Sequence, residues 1–201
     1  MPHNCVILLL AAGTSSRMRG GDKLLETIEG ETLLRRQVRV AKATGAEVMV
    51  VLPINSPMRR AQIAFEDVQV VEAKDPSLGM SASIAIGVAS LPRSAEAVMI
   101  LPTDMPDLSA ADLNAVLSEF AENSDTVHRG ASENGQPGHP VVFPRRLFPV
   151  LKALSGDDGA RAVLESEVVR LVPLPNKNAV TDLDTPEEWQ SWRNGGPNRS
   201  P

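Results

Sequence analysis

Residues 6 to 12 read "VILLLAA", an apolar run with no polar residue to mark a solvent side. A strand with one wet face alternates polar and apolar positions, so a strand without alternation has to be covered on both faces. Helices packed on either side of a mostly parallel sheet meet that demand. The rest of the chain reads in the same alternation. "CVILLLAA" is the first strand, and Thr32 to Thr44 follows as a helix with Leu34, Val38 and Ala41 on one face and Gly45 as its stop. "EVMVVLP" is the second strand, Met58 to Phe65 a short helix, "VQVVEA" the third strand, Ser81 to Leu91 a small-residue helix and "AVMILPTD" the fourth strand.

Beyond Asp107 a helix runs from Ala110 to about Asn123, and then the pattern loosens. "GQPGHPVVFP" contains a strand of undetermined direction, "LKALSGDDGARAVLES" a helix pair, "VVRLVPL" a late strand, and Pro186 to Arg193 the last helix. The reading is therefore α/β, with residues 1–194 as one domain and 195–201, rich in turn formers and with nothing to bury, as a flexible tail. With 42% apolar residues in 201, the chain suffices for a real core.

Several function classes fall away. The run from Val6 to Ala12 is far below the ~20 residues of a membrane span, and the first residues lack a signal-peptide layout, so a soluble cytoplasmic chain without membrane partners is expected. One cysteine, Cys5, and three scattered histidines make a disulfide framework or a zinc cluster improbable. A formal charge of −5 and 3% aromatic content argue against a nucleic-acid partner, for want of a basic face or stacking platforms. The exception is local: Arg17, Arg19 and Lys23 crowd into one short stretch, which points to a small anion held there.

Each of the first four strands is followed by an unusual loop: "GTSSRMRGGDK", "PINSP", "KDPSLGMS" and "PTDMPD". In an open parallel sheet these loops share the carboxyl edge, where ligands bind. Ala11, Ala12 and Gly13 have little side chain, so a phosphate can reach the main-chain amides, with Arg17 and Lys23 supplying charge. Neither the P-loop spacing nor the dinucleotide G-x-G-x-x-G is present. A glycine-rich loop with basic residues is common in its own right, so context has to decide. Asp104 and Asp107 sit after the fourth strand, and because Ser109 with Asp112 already forms a capping box, Asp104 is left without a structural task. Thr185, Pro186 and Glu188 complete a second helix start, which leaves Asp184 spare as well. Spare carboxylates beside phosphates suit magnesium. In "GMSAS", Gly79, Ser81 and Ser83 could receive a base or ribose, or could simply permit close helix packing. His139, held between Gly138 and Pro140, is by itself more often a structural donor than a substrate contact, and Asp157 or Asp158 reads as a cap for the helix carrying Arg161.

Taken together, "LAAGTSSRMRGGDKLL", "LPTDMP", "GHPVVFP" and "DLDTPEEW" resemble the nucleotidyltransferases that act on the molybdenum cofactor, over nearly the whole chain to about Trp192, with the cytidylyltransferase branch the nearest likeness. The resemblance implies a Rossmann-like three-layer α/β/α fold of the nucleotide-diphospho-sugar transferase kind. It also implies transfer of CMP from CTP to the phosphate of molybdopterin, with pyrophosphate released and Mg2+ required. Residue by residue, it places Leu10, Ala11, Ala12 and Gly13 with Arg17 and Lys23 on the triphosphate, and Arg17, Lys23 and Asp104 as the catalytic set. Asp104 and Asp184 would hold the metal, Pro53 and Ser81 would lie near the base, and Gly138 and His139 would face the pterin. Guanylyltransferases of this kind show L-A-G-G where Ala12 stands here, so its methyl implies CTP over GTP; an extra residue, Arg19, precedes Gly20 and Gly21. A molybdoenzyme or its maturation chaperone would be the downstream partner. The rival readings are a guanylyltransferase on the same cofactor, a sugar- or polyol-phosphate nucleotidyltransferase, a cofactor-delivery protein without chemistry, and a dinucleotide-dependent oxidoreductase.

Overall fold

The computed structural model describes residues 4–75, 79–156 and 158–195. Seven strands form one sheet in the order β5-β4-β1-β6-β8-β7-β9, where β1 is Cys5–Leu10, β4 Glu47–Pro53, β5 Gln69–Ala73, β6 Ala97–Pro102, β7 Val127–Ala131, β8 Pro137–Pro144 and β9 Val169–Pro173. β1 pairs in parallel with both β4 and β6, β5 is parallel to β4, and β9 is parallel to β7. Only β8 runs against its neighbours, which settles the direction of "HPVVF". A small antiparallel pair, β2 (Thr27–Ile28) with β3 (Glu31–Thr32), precedes α1 (Leu33–Lys42).

All six residues of β1 and all six of β6 are buried, as their unalternated sequences demand. Ile7 and Leu9 face one core with residues of α1, α4 (Ala110–Glu122) and α7 (Pro186–Arg193). Val6 and Leu8 face the other, with α3 (Gly79–Ala89), α5 (Phe148–Lys152) and α6 (Arg161–Ser166). Each fully buried Leu or Ile contributes roughly 1.5–3 kcal/mol, so a central strand buried on both faces is what anchors the three layers. The six-residue helix α2 (Pro57–Gln62) follows β4.

The helix expected from Thr32 begins one residue later, with Thr32 as its cap position, and the one expected from Ser81 begins at Gly79. β7 was not anticipated: His128, Arg129 and Gly130 break any apolar pattern, and the strand exists because β8 and β9 pair with it from both sides. The capping boxes at Ser109/Asp112 and Thr185/Glu188 both form. Asp158 does not cap α6 through its side chain; its carbonyl accepts from Arg161 N at 3.2 Å. Asp157, Pro76 to Leu78 and the tail beyond Gly195 lie outside the described residues.

Chain order makes the carboxyl edge between β1 and β6 special. From β1 the connections step outward through β4 to β5, then return across β1 to β6. The loops after β1 and β6 therefore part in opposite directions and leave a crevice, the standard ligand position in open parallel sheets.

Candidate active site

A cleft of about 580 Å³ occupies that crevice. Leu10, Ala12 and Gly13 line it from the β1 side and Pro102, Thr103 and Asp104 from the β6 side. Ala11 N still bonds to Val51 O at 3.0 Å, so the sheet holds the chain until Ala12. At Gly13 nothing stands within 4 Å of where a Cβ would be, which leaves the main chain open to a ligand. Thr103 fixes the opposite wall, its hydroxyl donating to Leu10 O at 2.8 Å.

The cationic loop turns back on itself through left-handed residues, Ser15 and Arg19 at φ 52° and Gly20 at φ 95°. Met18 plugs it into the core. The loop then presents Lys23, whose Nζ lies 2.5 Å from Asp104 Oδ2 and 2.6 Å from Asp184 Oδ1. Arg17 closes on the other oxygen of Asp184 at 2.6 Å. Asp184 is carried in because Leu183 N bonds to Asp104 O at 3.1 Å, so a main-chain link joins two loops 79 positions apart in the sequence. Arg17, Lys23, Asp104 and Asp184 are thus one cluster in the cleft.

Electrostatics follow the geometry. Burial by itself would lower the Lys23 ammonium, but the charges and hydrogen bonds of Asp104 and Asp184 outweigh it and hold its pKa above the ordinary value. For Asp184, burial pushes upward and Lys23, joined by Arg17, pulls the carboxyl below the ordinary range. Asp182 goes the other way, raised first by burial and then by the charges of Asp104 and Asp184. Asp104 uses Oδ2 on Lys23, while its Oδ1 is buried without a hydrogen-bond partner. Among the described residues no three acidic, histidine or cysteine side chains are gathered to hold a metal alone. A site of one or two carboxylates that is completed by phosphate oxygens is the kind magnesium uses, and the idle Asp104 oxygen fits it.

Arg19 leaves the cleft and pairs with Glu187 at 2.6 Å, both side chains well exposed. Pro53 and Ser81 do not line the cleft. Ser81 is fully buried and its hydroxyl faces Gly159 O at 3.4 Å. Helical periodicity is the reason: Gly79 and Ser83 are one turn apart and both line the cleft, whereas Ser81 sits around the far side. Pro53 is tied back by Ser56, whose hydroxyl donates to its carbonyl at 2.6 Å. Gly138 and His139 line a smaller adjoining hollow of about 300 Å³ that shares Asp104 and Asp182 with the cleft. Burial, reinforced by the charge of Arg129, pushes His139 down to about 4, so its ring is neutral at pH 7.

The residue missed by sequence reasoning is Arg59, on α2 and only 5% exposed. Its Nε and a terminal nitrogen grip Asp22 at 2.7 and 2.9 Å, another nitrogen donates to Ala11 O at 2.7 Å, and a further contact reaches Ser15 Oγ at 3.2 Å. Asp22 in turn accepts from Leu24 N at 3.0 Å and caps the short turn that begins at Lys23. Arg59 therefore moors the cationic loop to the sheet edge. Nothing in "SPMRRAQ" separates it from Arg60, which pairs with Glu72 at the surface.

A parallel-sheet crevice with small residues, two loop cations and a pair of facing carboxylates is the constellation of an enzyme that handles nucleoside triphosphates. The chain belongs to the MobA-like NTP transferase domain family, which it matches over residues 7–171. It is a nucleotidyltransferase, as the motifs implied. Similar proteins include the purine catabolism protein PucB of Bacillus subtilis, 28% identical over 92% of this chain and 94% of that one. The nicotine blue oxidoreductase of Paenarthrobacter nicotinovorans is 29% identical over 90% and 92%. A probable molybdenum cofactor guanylyltransferase of Synechococcus elongatus is 26% identical over 94% and 97%. The crystal structure of Rv0371c from Mycobacterium tuberculosis superposes with a TM-score of 0.83 at 24% identity over 96% of this chain and 98% of that one. Rv0371c has also been crystallised in complex with manganese, with a TM-score of 0.78 at 23% identity over 93% and 96%. CMP:2-keto-3-deoxy-manno-octonic acid synthetase complexed with CTP superposes with a TM-score of 0.73 at 14% identity over 95% and 97%. The fold is thus that of the nucleotide-diphospho-sugar transferases.

Proposed function

We propose that this enzyme transfers a nucleotidyl group from a nucleoside triphosphate to the phosphate of the molybdenum cofactor. The observation that carries the reading is Lys23 Nζ held between Asp104 and Asp184 at the crevice mouth, within a family of NTP transferases. An oxygen of the acceptor phosphate attacks the α-phosphorus, the α–β phosphoanhydride bond breaks, and pyrophosphate departs with the bonding electron pair. No oxidant or reductant is needed. The acceptor is already anionic at neutral pH, so alignment and charge neutralisation matter more than a protein base.

The main chain from Ala11 to Gly13 receives the phosphates, Arg17 donates in a planar fork and Lys23 acts as a compact charge on the departing pyrophosphate. Asp104, with Asp184, would hold Mg2+, which neutralises charge on the triphosphate when bound. Lys23 pairs with both carboxylates, so in this reading it would exchange part of that pairing for phosphate oxygens of the bound nucleotide.

For the base, Ala12 lines the cleft where guanylyltransferases of this kind carry glycine, and that resemblance supports CTP. The second reading, GTP, is favoured by relatives that carry the name molybdenum cofactor guanylyltransferase. Pyrophosphate release measured with CTP and GTP in parallel, with molybdenum cofactor as acceptor, separates the two. A sugar- or polyol-phosphate enzyme would turn over other acceptors instead, and a delivery protein would retain its function after loss of Asp104. Reduction or oxidation of a nicotinamide cofactor in place of pyrophosphate release would overturn the assignment altogether.

A further inference from the structure

We propose that Arg129 is the anchor for the anionic group of the acceptor, a phosphate monoester, in the hollow that adjoins the nucleotide cleft. The inference rests on the nucleotidyl-transfer reading and adds to it the residue that receives the second substrate. Arg129 lies on β7 and is half-buried. Its Nε donates to Gly138 O at 2.8 Å, which fixes the plane of the guanidinium. Among the described residues no carboxylate comes within ion-pairing distance of it, whereas the buried Arg59 and the cleft's Lys23 are both paired. A guanidinium partly removed from water and left without a counter-charge costs free energy, and a ligand anion would repay it. Burial draws its pKa below the ordinary value, a mark of the same missing partner.

The surroundings are built rather than incidental. A Cβ on Gly130 would come within 2.5 Å of His139 O, and one on Gly138 within 1.8 Å of Ala179 O. The two glycines let β7, β8 and the turn around Ala179 pack closely, and His139 N bonds to Ala179 O at 2.7 Å. Arg129 and His139 are thereby set on rigid backbone, the condition for a precise binding group. His139 Nδ1 is buried with no hydrogen-bond partner. The hollow, about 300 Å³, has Gln136 and Asp182 on its walls and shares Met80, Pro102 and Asp104 with the cleft. That volume is at the lower end for small ligands. It suits the phosphate end of an acceptor. An anion held there lies beside Asp104, next to where the α-phosphate of the donor must sit.

The test uses inorganic phosphate as probe and needs no turnover. The chain has three histidines, so the ring signals of His139 and His128 can be assigned by NMR in histidine-labelled protein. Phosphate is expected to shift His139 saturably at pH 7, with no shift in Arg129→Met and a weaker one in Arg129→Lys. The fully buried His128 should not respond to phosphate in any of the three, and circular dichroism matching the wild type reports that the variants are folded. In turnover, Arg129→Met should raise KM for the acceptor roughly 30-fold, on the scale of one lost charge-assisted pair, with the nucleotide KM within about twofold. No saturable shift in the wild type, the same shift in Arg129→Met, or an unchanged acceptor KM would overturn the proposal. If the wild type transfers nothing to the molybdenum cofactor, it is the function reading that fails, and the phosphate titration still decides Arg129.

Discussion

Replacing Arg59 by Met removes the mooring of the cationic loop while keeping much of the side-chain volume. Arg59 is 5% exposed and makes four polar contacts, two to Asp22 and one each to Ala11 O and Ser15 Oγ. Breaking a buried ion pair from one side costs about 3–5 kcal/mol when the remaining charge is sealed from water. Asp22 keeps 26% of its side-chain surface, so water rehydrates it and its share falls to about 2 kcal/mol. The Ala11 carbonyl, inside a buried strand end, loses its donor for about 1 kcal/mol more. The total, ~3 kcal/mol, corresponds to a drop in Tm of about 6–12 °C for a chain of this size. Because Lys23 directly follows Asp22, the loosened loop should also lower turnover at least tenfold, as a misplaced electrostatic group does. Denaturant unfolding of Arg59→Met, Asp22→Asn and the double variant measures the coupling, expected at more than about 1 kcal/mol. Additive single effects, or an Arg59→Met protein within about 1 kcal/mol and twofold of wild-type stability and turnover, would refute the mooring argument.

Lys23→Ala and Asp104→Ala should each lower nucleotidyl transfer by roughly 100-fold or more, the scale of one preorganised electrostatic contact; unchanged rates in steady-state assays for either would remove the site assignment. Asp182→Asn should stabilise the fold at pH 7. Its carboxyl is raised above 3.8, by burial and then by Asp104 and Asp184, so its ionisation costs stability as pH rises above that value. The gain should appear as a higher Tm near neutral pH and fade as pH falls toward 3.8, checked by thermal unfolding across pH; an Asp182→Asn protein no more stable than the wild type at pH 7 would refute it. Gly138→Ala sets a methyl 1.8 Å from Ala179 O, a clash with backbone that cannot rotate away, and should cost about 2–3 kcal/mol in a melting experiment.

The sheet was legible because its central strands have no choice. "CVILLL" and "AVMILP" carry no polar position, so only burial on both faces accommodates them, and a parallel sheet between helix layers follows. Helix starts at Ser109 and Thr185 were legible for a local reason: a capping box lies within four consecutive residues. Asp104 and Asp184 could be singled out by elimination, since neighbouring residues already did the capping. What depended on tertiary structure is every relation between distant parts. The bond from Leu183 N to Asp104 O brings Asp184 to Lys23, and no spacing in the chain encodes it. Arg59 and Arg60 are adjacent and alike in sequence, yet one is buried against Asp22 and the other pairs with Glu72 at the surface, because a helix points neighbouring side chains in different directions. The same rotation turned Ser81 away from the cleft and Ser83 into it. β7 exists only through its partners, and Arg129 acquires its place beside the cleft from them. Local sequence settles conformation and burial over a few residues, while a binding site is a set of distances between loops, which only the packed sheet can fix.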